Sequence, residues 1–328
     1  MNKPFVVVSC PIDTYSGYGS RARDVVRALM KSDKYDVKIL SQRWGSTPYG
    51  FLNENNPEEK KMKDAIIPPQ LTRQPDVWIQ ITVPNEFQKI GKFNIGITAG
   101  IETDICTPQF IEGCNNMDLI LGSSNHTKTV FEKTIYDKKD KAGNLQGTVK
   151  LETKCEVLFE GLDLEKYFHI EPKDLPKTEL VSELDTIDEN FCFLFVGHWL
   201  QGDIGEDRKN VGLMIKTFLE TFKNKKSKPA LILKTMSGPA TIMDRDDILK
   251  KIENVRKDIS GNLPNIYFLH GEVEDKDMNH LYNHPKVKAM ISLTKGEGFG
   301  RPLLEFTQSK KPLIVSNWSG HIDFLKSD

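Results

Sequence analysis

Arginine is scarce in this chain: it supplies 9 of the 45 basic residues, and lysine supplies the other 36. Nucleic-acid readers lean on guanidinium forks, so a dedicated DNA or RNA binder is disfavoured. Long apolar runs are absent, and none approaches the roughly 18 residues that would cross a bilayer as a helix. Met1-Asn2-Lys3-Pro4 before Phe5-Val6-Val7-Val8 leaves no room for the apolar stretch of a secretion signal. The expected setting is therefore the cytoplasm. Excess charge of either sign is also missing. The 45 basic and 46 acidic residues leave -1 at pH 7, which gives no steering toward DNA or an anionic membrane. A lysine patch at 223–228 leaves peripheral membrane attachment open. Cysteines are few and odd in number (Cys10, Cys106, Cys114, Cys155, Cys192), with no C-x-x-C pair and no histidine at ligand spacing. They read as buried thiols in a reducing compartment rather than a disulfide framework or a metal site. Gly (23), Pro (17) and a 38% hydrophobic content exclude collagen-like, disordered and coiled-coil classes.

The 328 residues are enough for roughly two domains. Short apolar runs recur at 5–10, 35–41, 76–82, 93–99, 117–123 and 155–159, and again at 191–197, 229–235, 265–270, 287–294 and 312–316. They are apolar throughout rather than alternating, as parallel strands covered on both faces should be. Helical patterns lie between them. One, at 20–31, puts Ala22, Val25, Val26 and Leu29 on one face; another, at 211–223, carries Val211, Leu213, Met214, Ile215, Phe218, Leu219 and Phe222. Alternating strand and helix means α/β layers. The pattern breaks at 165–190, a charged stretch with Pro172 and Pro176 that reads as a hinge. A polar insertion at 137–152 reads as a solvated hairpin or loop.

The most informative string is Lys295-Gly296-Glu297-Gly298-Phe299-Gly300-Arg301-Pro302-Leu303-Leu304-Glu305. It follows a strand, places three glycines in a short loop, and opens a helix with Pro302 in the first turn, where proline is favoured. Unpaired N–H groups at such a helix start can hold phosphate or sugar oxygens. Glu297 and Glu305, eight residues apart, are costly there unless hydroxyls donate to them. A sugar and a ribose supply such hydroxyls. A plain strand–turn–helix, in which Glu305 only favours the helix dipole, accounts for one glutamate but poorly for the whole string.

That string resembles E-G-F-G-x-P-x-x-E, the signature of the group 1 (family four) retaining glycosyltransferases, and Glu297 to Glu305 matches every fixed position. The resemblance implies the GT-B fold: α/β, with two Rossmann-like domains facing each other across a cleft. It places an acceptor-binding domain at 1–170, a hinge at 171–190 and a nucleotide-sugar-binding domain at 191–328. It further implies that Glu297 lies by the donor sugar and Glu305 binds the ribose, while Gly298, Phe299 and Gly300 offer backbone contacts. Phe195-Val196-Gly197-His198, followed by Arg208-Lys209-Asn210-Val211, resembles the family's first strand of the second domain and its basic pair.

Enzymes of this fold generally use no metal, so cations and a helix start must neutralise the departing diphosphate. Arg208 and Lys209 sit just before a helix, where positive charge is unfavourable unless an anion binds. Lys234, at the end of its strand, is a less marked third. His270-Gly271-Glu272-Val273 resembles the segment whose backbone reads the nucleobase, which implicates Gly271 and Val273. Gly197 joins them at the end of its strand. In the first half, Asp13-Thr14-Tyr15-Ser16-Gly17-Tyr18-Gly19 resembles the glycine-rich loop that faces the donor, which implicates Gly17, Tyr18 and Gly19. Ile101-Glu102-Thr103-Asp104 and Leu121-Gly122-Ser123-Ser124-Asn125 resemble acceptor-domain segments, and Glu102 joins the catalytic candidates. Gly161-Leu162-Asp163 through Phe168 resembles the string before the hinge.

Two departures stand out. The family continues beyond the equivalent of Asp328 with more strand and helix, so the second domain is expected to be shortened or completed by a second chain. The loop at 198–207 is acidic (Asp203, Glu206, Asp207), which does not suit a diphosphate site unless these side chains point away. The resulting expectation is a retaining transfer from a UDP- or GDP-sugar with no further cofactor. The acceptor could be a glycan, a lipid-linked sugar, a protein or a nucleic acid, met by loops around Tyr18, Trp44, Asn85-Glu86 and Glu102.

Three other readings compete. A non-catalytic nucleotide-sugar-binding or regulatory subunit would share the fold. An NAD(P)-dependent oxidoreductase is suggested by Gly17-Tyr18-Gly19-Ser20-Arg21-Ala22, which fits G-x-G-x-x-A. That loop starts late after its strand, however, and the next strand lacks a terminal acid for the ribose. Asp244-Arg245-Asp246 offers the Asp-x-Asp of a metal-dependent transferase, although a capping and first-turn role suffices for it.

Overall fold

The computed structural model describes residues 3–325 except 46, 141, 201 and 203. Asp203 therefore lies outside the described residues. The chain divides between Glu160 and Gly161 into two compact units.

The first unit runs β1 (Phe5–Cys10), α1 (Gly17–Ser32), β2 (Asp36–Ser41), α2 (Pro57–Asp64), β3 (Val77–Ile81), β4 (Phe93–Thr98), α3 (Pro108–Asn115), β5 (Leu119–Gly122), α4 (Asn125–Lys133), β6 (Tyr136–Lys139), β7 (Leu145–Val149) and β8 (Cys155–Val157). Six strands form one parallel sheet in the order β2-β1-β3-β4-β5-β8. Every residue of β1 is buried, because helices cover both sheet faces. Val6 and Val8 pack with Ala22 and Val26 of α1, whereas Phe5 and Val7 pack on the opposite side with Trp78, Ile111 and Phe131. The insertion at 137–152 forms the antiparallel β6–β7 hairpin, largely exposed and outside the main sheet.

The second unit runs α5 (Glu179–Asp185), β9 (Cys192–Val196), α6 (Val211–Phe222), β10 (Ala230–Lys234), α7 (Ile242–Lys257), β11 (Ile266–Leu269), α8 (Asp275–Asn283), β12 (Val287–Ser292), α9 (Arg301–Thr307) and β13 (Leu313–Val315). Its five parallel strands take the order β11-β10-β9-β12-β13. The chain winds one way from β9 through β10 to β11, then reverses to β12 and β13. The crevice at the carboxyl ends of β9 and β12 is therefore a topological switch point, where open α/β sheets take their ligands. The first unit has its reversal between β1 and β3.

Residues 171–190, expected as a hinge, are built into the second unit. Val181 and Leu184 of α5 are buried, and Leu184 and Ile187 join the core around Leu281 and Tyr282 of α8. Val181 and Leu184, three residues apart on α5, with Ile187 just beyond its end, are enough to dock this short helix even in a charged background. In the string before that helix it is Tyr167 that is buried, while Phe168 is half exposed. All five cysteines are buried and free, and burial raises the thiol pKa of Cys10 to about 12.

Candidate functional site

In the second unit the loop from β12 to α9 carries the glycines and Glu297. Gly300 adopts a left-handed φ of 92° at the start of α9, and Pro302 follows in the first turn. The loop is clamped from behind by a distant segment. Glu297 N–H donates to Ser319 Oγ at 2.9 Å, that hydroxyl donates to Glu297 C=O at 2.7 Å, and Gly320 N–H donates to the same carbonyl at 2.9 Å. A Cβ at Gly320 would collide with the Gly298 carbonyl, so only glycine permits this approach. The Phe299 side chain is buried against Phe324. It anchors the loop, leaving backbone as its means of touching a ligand.

The carboxylate of Glu297 is almost fully buried and pairs with Lys209 Nζ; Arg208 Nη1 lies 3.7 Å away. Burial alone would raise the pKa of this carboxyl. The charges of Lys209 and Arg208, with the Lys209 hydrogen bond, outweigh burial and hold it below its ordinary value. Arg208 also donates to Gly296 C=O at 3.0 Å, and its own carbonyl accepts from Lys295 N–H at 3.0 Å, tying the two loops together. These contacts bring the segment before α6 against the segment before α9, the two sides of the β9/β12 switch point.

Lys234, at the end of β10, donates to Gly271 C=O at 2.6 Å, and burial lowers its pKa. Desolvation of the imidazole, then the charges of Lys209 and Lys234, also lower the pKa of His198, just past Gly197. Two cations thus meet at one buried carboxylate, and Lys234 stands on β10, the strand paired with β9. Asp207 of the acidic loop is engaged elsewhere. That residue is buried, and its Oδ2 accepts from Val211 N–H at 2.9 Å at the start of α6. Glu206 is exposed.

Glu305 lies on α9 and accepts from the buried Tyr282 hydroxyl at 3.0 Å. Gly271 has a left-handed φ of 97°, and Val273 is partly buried against the core. The Asp-x-Asp residues do not converge. Asp244 accepts from Ser237 N–H at 3.1 Å and pairs with His270 at 2.8 Å, whereas Asp246 is exposed beside Arg245. The cap of α7 is Thr241. Among the described residues no group of three or more His, Cys, Asp or Glu is placed to hold a metal ion.

In the first unit Tyr18 stacks on Trp44 with ring centroids 4.0 Å apart. Its hydroxyl lies 3.0 Å from Thr98 Oγ1 and accepts from Ala99 N–H at 3.1 Å, and burial raises its pKa to about 12. Glu102 is half-buried and raises the same pKa through its charge. Ser16 caps α1, so Gly17 is the first helical residue rather than part of a tight turn after β1. A Cβ at Gly19 would collide with the Thr14 carbonyl, which makes Gly19 a packing requirement. Both features depart from a dinucleotide fingerprint, whose glycines let a pyrophosphate approach.

Two kinds of residue escaped the sequence reading. Ser319 and Gly320 support Glu297, and Tyr282 supports Glu305, yet each lies far along the chain from the group it serves, with no local pattern to mark it.

No family model and no curated protein matches the sequence. Solved structures do. A structure from E. coli described as trehalose-6-phosphate bound with UDP-2-fluoro glucose superposes with a TM-score of 0.56 and 13% identity, over 97% of this chain and 85% of that one. The sucrose-phosphate synthase of Thermosynechococcus elongatus gives 0.59 and 12%, over 98% and 83%. The lipopolysaccharide outer core galactosyltransferase WaaB, in its apo form, gives 0.53 and 12%, over 98% and 83%. The fold is GT-B. Among the described residues of this GT-B chain no helix is long and apolar enough to cross a membrane.

Proposed function

We propose that this protein is a glycosyltransferase that moves a sugar from a nucleoside diphosphate donor to an acceptor hydroxyl with retention at the anomeric carbon. One observation carries the reading. At the β9/β12 switch point of a GT-B chain, a buried glutamate is held as an anion by two cations from the facing loop, and a second glutamate lies on the helix that follows. One neighbouring structure holds UDP-2-fluoro glucose, which supports a UDP-sugar; GDP-sugars remain the second donor class.

In this reading Arg208, Lys209 and Lys234 stabilise the diphosphate as it departs, and no metal or other cofactor is needed. Glu297 and the backbone of Gly298, Phe299 and Gly300 orient the sugar, and Glu305 holds the ribose. Gly197, Gly271 and Val273 border the nucleotide. Gly17, Tyr18, Gly19 and Glu102 are assigned to donor and acceptor recognition on the motif they resemble. The leaving phosphate assists removal of the acceptor proton, so no covalent nucleophile is invoked.

A thermal-shift screen of nucleoside diphosphates and their sugars tests donor class and base together, since a ligand bound only to the native state raises the melting temperature. Stabilisation by UDP or GDP, with slow hydrolysis of the matching sugar nucleotide, is the expected result. Stabilisation by none of them overturns the reading. Binding without turnover over many acceptors would make the chain a nucleotide-sugar-binding subunit.

A further inference from the structure

Tyr282 sits on α8, whereas Glu305 sits on α9. The phenol is fully buried, with its ring 5.7 Å from Phe306 at 87° and 6.1 Å from Tyr167. Its backbone carbonyl accepts from Lys311 Nζ at 2.8 Å, so the residue is fixed at both ends. The hydroxyl has one hydrogen to give and gives it to Glu305 Oε2 at 3.0 Å. A second phenol nearby is used otherwise: Tyr167 donates to Asp275 at 3.0 Å, and Lys166 pairs with the same carboxylate at 2.7 Å. Each carboxylate therefore has its own phenol.

Glu305 carries a side chain with three rotatable bonds on the first turns of a short helix. A carboxylate that must meet two vicinal ribose hydroxyls has to be held in one rotamer, and the only gain from doing so is directional. Resting on the reading of Glu305 as the ribose ligand, we propose that Tyr282 is a positioning residue, which fixes the Glu305 carboxylate for the ribose hydroxyls through its buried O–H. Burial, followed by the charge of Glu305 and the proximity of Tyr167, raises the phenol pKa well above 10, so the donor keeps its proton at any working pH. Tyr282 itself touches no substrate in this arrangement.

The test compares the wild-type chain with Glu305→Ala, Tyr282→Phe and Tyr167→Phe. Calorimetric titrations use UDP and GDP and their 2′,3′-dideoxy counterparts. The readout is the ratio of dissociation constants, dideoxy over ribo, for the base that binds. A merely structural role would lower melting temperature without moving this ratio. The expected result is a large ratio in wild type, loss of the preference in Glu305→Ala, and a ratio about tenfold smaller in Tyr282→Phe, as when a charge-assisted contact is misaimed. Tyr167→Phe, which also loses a buried phenol hydrogen bond, should keep the wild-type ratio.

Tyr282→Phe preserves the ring and its packing, and Tyr282→Met replaces it if the phenylalanine variant does not fold. A wild-type ratio near one, or a ratio unchanged in Glu305→Ala, overturns the ribose reading and this inference with it. A ratio lost in Glu305→Ala but intact in Tyr282→Phe overturns the inference alone. An equal fall in Tyr167→Phe would also overturn it, since general loosening of the α8–α9 core would then be the cause.

Discussion

Replacing Lys209 by methionine should destabilise the second unit by about 2–4 kcal/mol at pH 7. Removing one partner of a buried ion pair typically costs roughly 3–5 kcal/mol, because the other charge stays behind undressed. Arg208, 3.7 Å from Glu297, retains part of the compensation, which sets the lower figure. The penalty should also depend on pH. In wild type the folded pKa of Glu297 is depressed, so its contribution is present above the unfolded value of 4.5 and fades as pH falls through the folded one. In the variant only Arg208 and His321 still oppose burial, and the folded pKa rises. The deficit against wild type is then smallest in acid and grows as pH rises from the depressed folded pKa of the wild type, below 4.5, to the higher folded pKa of the variant. Urea titrations of the wild type, Lys209→Met, Glu297→Gln and the double variant between pH 4 and 7.5 provide the measurement. The double variant should recover most of the loss, since a neutral buried pair is often nearly as stable as a charged one. A coupling energy under about 0.5 kcal/mol at pH 7 would refute the pairing, as it is the value typical of independent sites.

Three further outcomes follow from the geometry. Glu305→Ala should weaken nucleotide binding by about 1.5–3 kcal/mol, the range for hydrogen bonds to a charged group, and calorimetry showing unchanged affinity would remove it from the ribose. Arg208→Ala should lower turnover by roughly 10²-fold, with a smaller change in donor KM, as for loss of a group that acts on developing charge; a normal rate under saturating donor would dismiss the leaving-group role. Gly320→Ala should lower the melting temperature, at a cost of about 1–3 kcal/mol for forcing a methyl group against the Gly298 carbonyl. An unshifted melting curve would mean that the clamp behind Glu297 gives way freely.

Much of the fold was legible because its strands are parallel. Buried on both faces, they read as unbroken apolar runs, and the eleven runs correspond to β1–β5, β8 and β9–β13 within a residue or two at their ends. The two glutamates were legible for a different reason: loop, proline and helix fix them by short-range rules. What failed to show was anything settled by long-range packing. The charged stretch around α5 hides Val181, Leu184 and Ile187 among acids and lysines, so composition suggested a linker where tertiary burial made a helix. Gly19 fits a phosphate-loop pattern, yet its lack of a side chain answers to the Thr14 carbonyl. Phe299 was read through its backbone, and its ring proved to be a core anchor. Ser319 and Tyr282 act on the glutamates from remote sequence positions, and no local periodicity encodes such a partnership.

The Lys209–Glu297 pair has a kinetic consequence under the proposed activity. A pocket lined with bare cations would grip a spent nucleoside diphosphate so firmly that each cycle would stall on its own by-product. Here an internal counter-ion already waits beside Lys209, ready to take over its charge the moment the anion departs. Under that activity product release would face a lower barrier, and the tempo of successive turnovers would be set partly by a residue that belongs to the loop itself.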